Sequence, residues 1–192
     1  MEQGFVKVAS ATPRIRVADP VYNAQVICEQ AKEAAEHGAK IVVFPELCIT
    51  GYTCNDLFLQ ELLLEKAKEA LLTIAEETGQ LETLFLVGLP VDKDGRLYNV
   101  AAVLYRGRIL GMIPKKNIPM YAEFYEGRHF TPGEETVTEY RLGKQVIPFG
   151  SNLLFRCEEL PELILGCELC EDLWVAEPPS TSHALMGATV IA

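Results

Sequence analysis

The sequence predicts an α/β domain with mixed sheets and with helices packed outside them. Short, wholly apolar runs alternate with long amphipathic segments, and turn residues with hairpin signals lie between them. Runs that are apolar throughout are typical of strands buried on both faces of a sheet. A chain of 192 residues is long enough for one sizeable hydrophobic core. We therefore interpret 1–192 as one domain.

The first half of the chain predicts strands that alternate with helices. Asp19 is a suitable N-cap because Pro20 follows it at the first helical position. Asn55 or Asp56 is expected to cap a second, longer helix whose apolar stripe begins near Leu59 and Leu62. The expected elements are a strand over 5–11, a helix over 19–38, a strand over 40–45, a helix over 55–79 and a strand over 84–88.

The second half of the chain predicts a hairpin, a long loop and a last strand–helix–strand unit. Turn residues at 92–95 and 106–107 bound the two hairpin strands. Residues 115–133 are rich in proline, glycine and aromatic residues and have no clean period, so we expect an ordered loop. The expected elements are strands over 97–105, 108–113, 145–148, 153–156 and 163–167, a helix over 179–186 and a strand over 188–191.

Charge and composition exclude several classes of function. The net charge of -10 argues against a nucleic-acid partner, because binding phosphates requires a basic surface. No apolar run has the length of a membrane span, and we expect no signal peptide. We predict a cytoplasmic protein with reduced cysteines. The six cysteines are Cys28, Cys48, Cys54, Cys157, Cys167 and Cys170.

Three chemically active side chains each follow a strand-like apolar run. Glu46 follows 41–45, Lys115 follows the second hairpin strand, and Cys170 follows 163–167. A thiol, a carboxylate and an ammonium group brought together are suited to acyl transfer from an amide. Taken singly, each has an ordinary interpretation: a core cysteine, a glutamate that reaches solvent, and one lysine of an exposed pair.

The C-x-x-C spacing of Cys167 and Cys170 has two other interpretations. A zinc site would need a second ligand pair at finger-like spacing, and the sequence lacks one. A redox pair would be expected at the start of a helix near the N-terminus. We therefore interpret Cys167 as core packing and predict no metal site.

Five segments resemble the nitrilase superfamily of carbon–nitrogen hydrolases. They are Phe-Pro-Glu-Leu at 44–47, Thr-Gly-Tyr at 50–52, Pro-Lys at 114–115, the segment 126–133, and Gly-Cys-Glu-Leu-Cys-Glu-Asp-Leu-Trp at 166–174. They occur in the Glu, Lys, Cys order of that family. The resemblance implies a nitrilase-like four-layer α-β-β-α sandwich. It also implies Glu46 as general base, Lys115 as oxyanion partner and Cys170 as nucleophile, with no cofactor.

Within the superfamily, the sequence most resembles the glutaminase domains of glutamine-dependent NAD+ synthetases. The matching segments are 55–58, 118–126, and 170–174 followed by 178–180. The resemblance implies hydrolysis of glutamine, with ammonia passed to a synthetase domain that uses ATP and Mg. The phosphate-loop motif of that domain is absent from the 192 residues. We therefore expect a glutaminase domain that is incomplete at its C-terminus and lacks the synthetase domain.

The same resemblance implies further site residues and competing functions. The residues expected to bind substrate are Tyr52, Tyr121, Phe124, Glu126 and Glu171. Each has a plain alternative, as an aromatic core residue or as a charged loop residue. The alternative function is a stand-alone amidase or N-carbamoyl hydrolase that acts on a small linear amide. A third hypothesis is a catalytically silent domain kept for assembly, since superfamily members form homo-oligomers.

Overall fold

Two mixed β-sheets lie face to face between helices in the structure, a computed structural model that describes residues 4–192. The strands are β1 (Val8–Ser10), β2 (Ile41–Val43), β3 (Leu84–Lys93), β4 (Arg96–Tyr105), β5 (Arg108–Pro114), β6 (Thr138–Leu142), β7 (Gln145–Phe149), β8 (Phe155–Arg156), β9 (Ile164–Gly166) and β10 (Val190–Ile191). The α-helices are α1 (Pro20–Glu36), α2 (Glu61–Glu77) and α3 (Pro179–Leu185).

The larger sheet has seven strands in the order β1-β2-β3-β4-β5-β7-β6. The strands β1, β2 and β3 are parallel, whereas β3, β4 and β5 form an antiparallel meander. The strand β7 pairs in parallel with β5 and antiparallel with β6. The smaller sheet places β9 between β10, which is parallel to it, and β8, which is antiparallel. Both sheets are therefore mixed.

Alternation along the strands divides the apolar residues between two cores. In β3, Phe85 and Val87 face the core shared with α1 and α2, and Leu86 faces the smaller sheet. On the opposite sheet, Leu165 belongs to the inner core. A Cβ on the next residue, Gly166, would lie 2.7 Å from Nδ1 of His183 in α3. The helix α3 thus covers the outer face of the smaller sheet, which confirms the predicted four-layer α-β-β-α sandwich.

The first helix begins as the sequence predicts. The Oδ1 atom of Asp19 accepts a hydrogen bond of 3.1 Å from the backbone N–H of Tyr22, and Pro20 is the first helical residue. The buried residues of α1 recur at helical spacing and include Ala24, Ile27 and Ala31.

The second helix begins later than predicted. Residues 52–59 form 3₁₀ turns, in which Asn55 has φ 51° and ψ −133°, and Gln60 is the N-cap of α2. Because of this start, Leu59 and Leu62 lie outside the buried stripe and are 62% and 69% exposed. The prediction that Asn55 or Asp56 caps this helix is therefore wrong.

The strand boundaries also differ from prediction in two places. The strand β3 runs to Lys93 instead of ending at Gly88, because its nine pairs with β4 continue to the hairpin turn. The strand β6 was not predicted, since its sequence mixes charged residues with single apolar ones. Within residues 4–192, no helix combines the length and the apolarity needed to cross a bilayer.

Candidate active site

The three residues predicted to carry the chemistry lie beyond the carboxyl ends of three strands. Glu46 follows β2, Lys115 follows β5 directly, and Cys170 follows β9 at the start of a 3₁₀ helix, Cys170–Trp174. Glu46 and Lys115 extend from the larger sheet and Cys170 extends from the smaller one. The structure brings the three together, since the charges of both other residues act on the Cys170 thiol.

Lys115 is fully buried between two carboxylates. Its Nζ donates hydrogen bonds of 2.7 Å to Oε1 of Glu46 and 2.7 Å to Oε1 of Glu126, and its side chain is 0% exposed. Glu126 is 4% exposed and Glu46 is 17% exposed. A buried ammonium group needs such partners, because leaving it unpaired costs several kcal/mol. Burial excludes the interpretation of Lys115 as one of an exposed lysine pair.

A buried asparagine joins the same group. Nδ2 of Asn99, in the middle of β4, lies 2.6 Å from Oε1 of Glu46 and 3.3 Å from Oε2 of Glu126. The backbone carbonyl of Asn99 also accepts the N–H of Lys115 at 2.8 Å. We refer to Glu46, Asn99, Lys115 and Glu126 as the carboxylate–lysine cluster.

Burial and charge shift the pKa values within this cluster. Burial raises the pKa of Glu46 above its usual range and outweighs the attraction of Lys115, which lowers it. Burial on its own would lower the pKa of Lys115, but Glu46 and Glu126 together raise it. Lys115 therefore stays charged at neutral pH, while Glu46 has the raised proton affinity of a general base.

Cys170 differs from its neighbour Cys167 in exposure and in backbone conformation. Cys170 is exposed, and its φ of +46° lies in the left-handed region that non-glycine residues rarely adopt. Burial and the negative charge of Glu46 raise the pKa of its thiol, and Lys115 lowers it. Cys167 is buried in the core between the sheets, and burial raises its pKa to about 12. The position of Cys167 confirms its interpretation as core packing.

The position of Glu46 depends on a close contact with β3. Leu47 has φ +53°, which turns the backbone directly after Glu46. A Cβ on Gly88 would lie 2.3 Å from the Leu47 nitrogen and 2.9 Å from the carbonyl carbon of Glu46. Only a glycine at position 88 allows the two backbones to approach this closely.

Asp172 connects the cysteine turn to the segment that follows Lys115. Its Oδ1 accepts hydrogen bonds from the backbone N–H of Asn117 at 2.7 Å and from Nδ2 of Asn117 at 2.9 Å. Its Oδ2 accepts from the backbone N–H of Leu169 at 3.0 Å and of Lys116 at 3.4 Å. The side chain is buried, so these donors compensate its desolvation.

Tyr52, which the sequence predicts to bind substrate, contacts the carboxylate–lysine cluster. Its hydroxyl donates a hydrogen bond of 2.9 Å to Oε1 of Glu126. Asp56 and Arg128 join the two segments that carry these residues, through contacts of 2.7 Å and 2.9 Å between the guanidinium and the carboxylate. The bidentate pair holds the 52–59 segment against the loop that carries Glu126.

The other three predicted substrate residues form a second group on the exposed side of Cys170. The Tyr121 hydroxyl donates a hydrogen bond of 2.7 Å to Oε2 of Glu171, the residue next to the cysteine. Phe124 packs edge-on against Tyr121, with 5.7 Å between ring centroids. The structure does not bring these three into the carboxylate–lysine cluster.

Sequence reasoning did not assign a role to Asn99 or Asp172. Asn99 interrupts the apolar run of β4, and a polar residue within a buried strand signals a required hydrogen-bond partner. Asp172 was noted within a motif, but its partners come from a distant segment and carry no local signal. Among residues 4–192, no three or more His, Cys, Asp or Glu side chains form a group that could hold a metal ion.

Comparisons with known proteins agree on the family of this chain. Residues 7–192 match the family model described as carbon-nitrogen hydrolase. The chain is 41% identical over 191 residues to a glutamine-dependent NAD(+) synthetase of Mycobacterium tuberculosis, covering 100% of this chain and 28% of the relative. It is 33% identical over 163 residues to that of Thermotoga maritima, covering 85% of this chain and 25% of the relative. The chain thus spans less than a third of the length of these relatives.

Solved structures show the same fold. A glutamine-dependent NAD(+) synthetase from Cytophaga hutchinsonii aligns with a TM-score of 0.85 and 28% identity, over 97% of this chain and 30% of that chain. An amidase from Nesterenkonia sp. aligns with a TM-score of 0.70 and 22% identity, over 97% of this chain and 63% of that chain. At that identity, the amidase supports the fold alone. From the family model and the similarity to these relatives, this chain belongs to the carbon–nitrogen hydrolase family.

Proposed function

We propose that this chain is a glutamine amidohydrolase domain, which cleaves the side-chain amide of glutamine through a Cys170 thioester. The observation that carries the proposal is the convergence of an exposed thiol, a carboxylate of raised pKa and a buried ammonium group. The similarity to glutamine-dependent NAD(+) synthetases supports glutamine as the substrate.

The first half-reaction forms the thioester. Burial and Glu46 raise the pKa of the Cys170 thiol, so the thiol is protonated at rest and needs a base as it attacks. Glu46 takes the thiol proton while Sγ bonds to the amide carbon. The negative charge on the substrate oxygen is stabilised by Lys115 and by the backbone N–H of Glu171. Glu46 then returns the proton to the departing nitrogen, which leaves as ammonia.

The second half-reaction uses the same groups. Glu46 removes a proton from a water molecule, which attacks the thioester carbon. The carbon–sulfur bond breaks, the proton returns to Sγ, and glutamate is released. In the resting site both neighbouring carboxylates raise the pKa of Lys115, which keeps it charged. The steps use groups of this chain, the substrate and water, and the mechanism needs no cofactor or metal.

The residues next to Cys170 favour a substrate with an α-ammonium group. The Glu171 carboxylate is hydrogen-bonded to Tyr121 on the exposed side of the nucleophile. A fixed carboxylate beside the nucleophile suits the cation of a free amino acid. Phe124 packs against Tyr121 and gives the pair an apolar support. Glu126 is buried and holds Lys115 in position, and Tyr52 donates a hydrogen bond to Glu126.

The similarity to NAD(+) synthetases supports a proposal for the fate of the ammonia. In a longer protein like the NAD(+) synthetases, a synthetase domain using ATP and Mg would receive the ammonia from this domain. That partner domain, a homo-oligomeric assembly and a cytoplasmic location stay predictions. Size measurement and assay of the full-length protein are the tests for them.

The direct test is intact mass spectrometry after incubation with diazo-oxo-norleucine, a glutamine-like electrophile. We expect one adduct on the wild-type protein, blocked by excess glutamine and absent from Cys170→Ala. The matched control is Cys157→Ala, because Cys157 is a free thiol that is partly exposed and lies outside the site. An adduct that survives in Cys170→Ala, or that glutamine does not block, would refute the proposal.

An ammonia-release assay separates the proposed function from the alternative functions. A stand-alone amidase or N-carbamoyl hydrolase would form its thioester from small linear amides and would ignore glutamine. Ammonia release from glutamine should therefore be compared with release from simple aliphatic amides and from N-carbamoyl amino acids. A catalytically silent domain would release ammonia from none of them.

A further inference from the structure

We propose that Asn99 is a positioning residue for the general base. Its amide group binds the carboxylates of Glu46 and Glu126 together and leaves Oε2 of Glu46 for the Cys170 thiol. The proposal rests on the role proposed above for Glu46. It adds to the cluster a residue that sequence reasoning did not assign.

The first argument is the distribution of hydrogen bonds on Glu46. Lys115 donates to Oε1 at 2.7 Å and Asn99 donates to the same oxygen at 2.6 Å. Two strong donors on one oxygen fix the rotation of the carboxylate. The other oxygen, Oε2, is thereby available to take and return a proton. With Lys115 alone as a donor, the carboxylate could rotate about one contact.

The second argument is the charge of the cluster. Glu46 and Glu126 both contact one ammonium group, so the three ionised side chains together carry an excess of one negative charge. The second N–H of Asn99 reaches Oε2 of Glu126 at 3.3 Å, so a neutral amide contacts both carboxylates. A hydrogen bond donated to the ionised form of a carboxyl group lowers its pKa. The hydrogen bond from Asn99 therefore lowers the pKa of Glu46 and partly opposes the increase caused by burial.

The third argument is the orientation of the Asn99 amide itself. Its Oδ1 is buried and has no hydrogen-bond partner among the residues that the structure describes. Turning the amide would place Oδ1 against two carboxylates, which is worse than leaving it unpaired. The two carboxylates therefore fix the orientation of the amide, and this orientation leaves Oδ1 without a hydrogen-bond donor.

Four other titratable groups face Glu46 or act on it through their charge. They are Lys115 after β5, Glu126 in the loop, Tyr52 in the 52–59 segment and Cys170 after β9. The pKa values of Lys115, Tyr52 and Cys170 are all raised. These three groups therefore keep their protons through the acid range, and a change in the alkylation rate there reports on Glu46.

The test is the pH dependence of Cys170 alkylation by iodoacetamide, followed by mass mapping of the cysteine peptide. This readout needs no substrate. We define the acid limb as the part of the pH profile in which the alkylation rate falls as the pH is lowered. Asn99→Leu keeps a similar side-chain volume but removes both N–H donors of the amide. The acid limb should therefore move to higher pH by about one unit. On that limb the rate at a fixed pH should fall about tenfold. Asn99→Ser keeps one donor, and its limb should move in the same direction by less.

The control is Val100→Ala, the next residue of β4, which faces the helix core and not the cluster. It should lower the melting temperature and leave the acid limb in place. The proposal would be overturned if Asn99→Leu and Asn99→Ser both fold and the acid limb of their alkylation rate stays at the pH of the wild-type limb. If Asn99→Leu does not fold, the Asn99→Ser limb decides alone.

Failure of the proposed function gives a different pattern. If wild type does not hydrolyse glutamine but the acid limb of the alkylation rate still moves in Asn99→Leu, the proposed function falls for this chain and the role of Asn99 stands. If glutamine is hydrolysed and the limb does not move, the proposed function stands and the role of Asn99 falls.

Discussion

Replacing Lys115 with methionine tests whether the charged side chains of the carboxylate–lysine cluster stabilise one another. The variant keeps most of the side-chain volume but removes the cation from between two carboxylates, each 2.7 Å away. Removing one partner of a buried ion pair costs about 3–5 kcal/mol, because the remaining charge stays desolvated. For a domain of this size that loss corresponds to a decrease of roughly 6–20 °C in melting temperature.

The loss should depend on pH in a definite direction. In wild type, the pKa of Lys115 is raised, so its contribution is complete below its unfolded pKa and is lost only as the pH rises through the folded value. In Lys115→Met, the pKa of Glu46, which burial already raises, rises further. A carboxyl group of raised pKa stabilises the folded state at low pH and loses that contribution as the pH rises. The decrease in the free energy of unfolding of Lys115→Met relative to wild type should therefore be largest near pH 8 and smaller near pH 5.5.

The assay is urea unfolding of both proteins at these two pH values. Lys116→Met is the matched control, because Lys116 pairs with Glu135 at the surface. An exposed pair contributes little, so its unfolding midpoint should stay close to wild type at both pH values. A Lys115→Met deficit that is equal at both pH values, or no larger than that of Lys116→Met, would refute the reasoning.

Two further substitutions test the supports of the site. Gly88→Ala should lower activity and reduce the free energy of unfolding by about 1–3 kcal/mol, because the added Cβ would collide with the backbone beside Glu46. Wild-type turnover together with an unchanged urea midpoint would contradict this prediction. Asp172→Asn should reduce the free energy of unfolding by about 1–3 kcal/mol. The carboxylate of Asp172 accepts hydrogen bonds from several N–H groups, including two of Asn117, and an amide group has only one oxygen to accept them. Alkylation of Cys170 should slow in this variant, and a rate equal to wild type would show that the cysteine turn does not need Asp172.

The elements that sequence predicted well are those with local signals. Asp19 and Pro20 fix the start of α1 through a cap and a fixed φ, and both effects act within one turn. The start of α2 was missed because Asn55 adopts a non-helical conformation that tertiary contacts of the 52–59 segment stabilise. Asn55 is otherwise as suitable a cap as Asp19.

The candidate site divides in the same way. Glu46, Lys115 and Cys170 each follow a buried strand, but their roles were predicted from the motifs around them, which resemble those of a known family, and from their Glu, Lys, Cys order. Glu126 was suggested by the resemblance as a substrate-binding residue, and the structure places its carboxylate against Lys115. Asn99 was missed because its role requires β4 to lie between the strands that carry the charged residues. That order of strands is a property of the whole sheet.

The division of the site between two sheets has a consequence for the order of assembly. Glu46 and Lys115 belong to the larger sheet and Cys170 belongs to the smaller one, and apolar side chains such as Leu86 and Leu165 pack between the sheets. Contacts that join distant parts of a chain form late in folding, since the entropy of closing the intervening loop is lost first. The Cys170 thiol therefore meets Glu46 only when the sheets have docked. A nascent or partly unfolded chain carries an ordinary cysteine, and the reactivity proposed for Cys170 appears together with the native core.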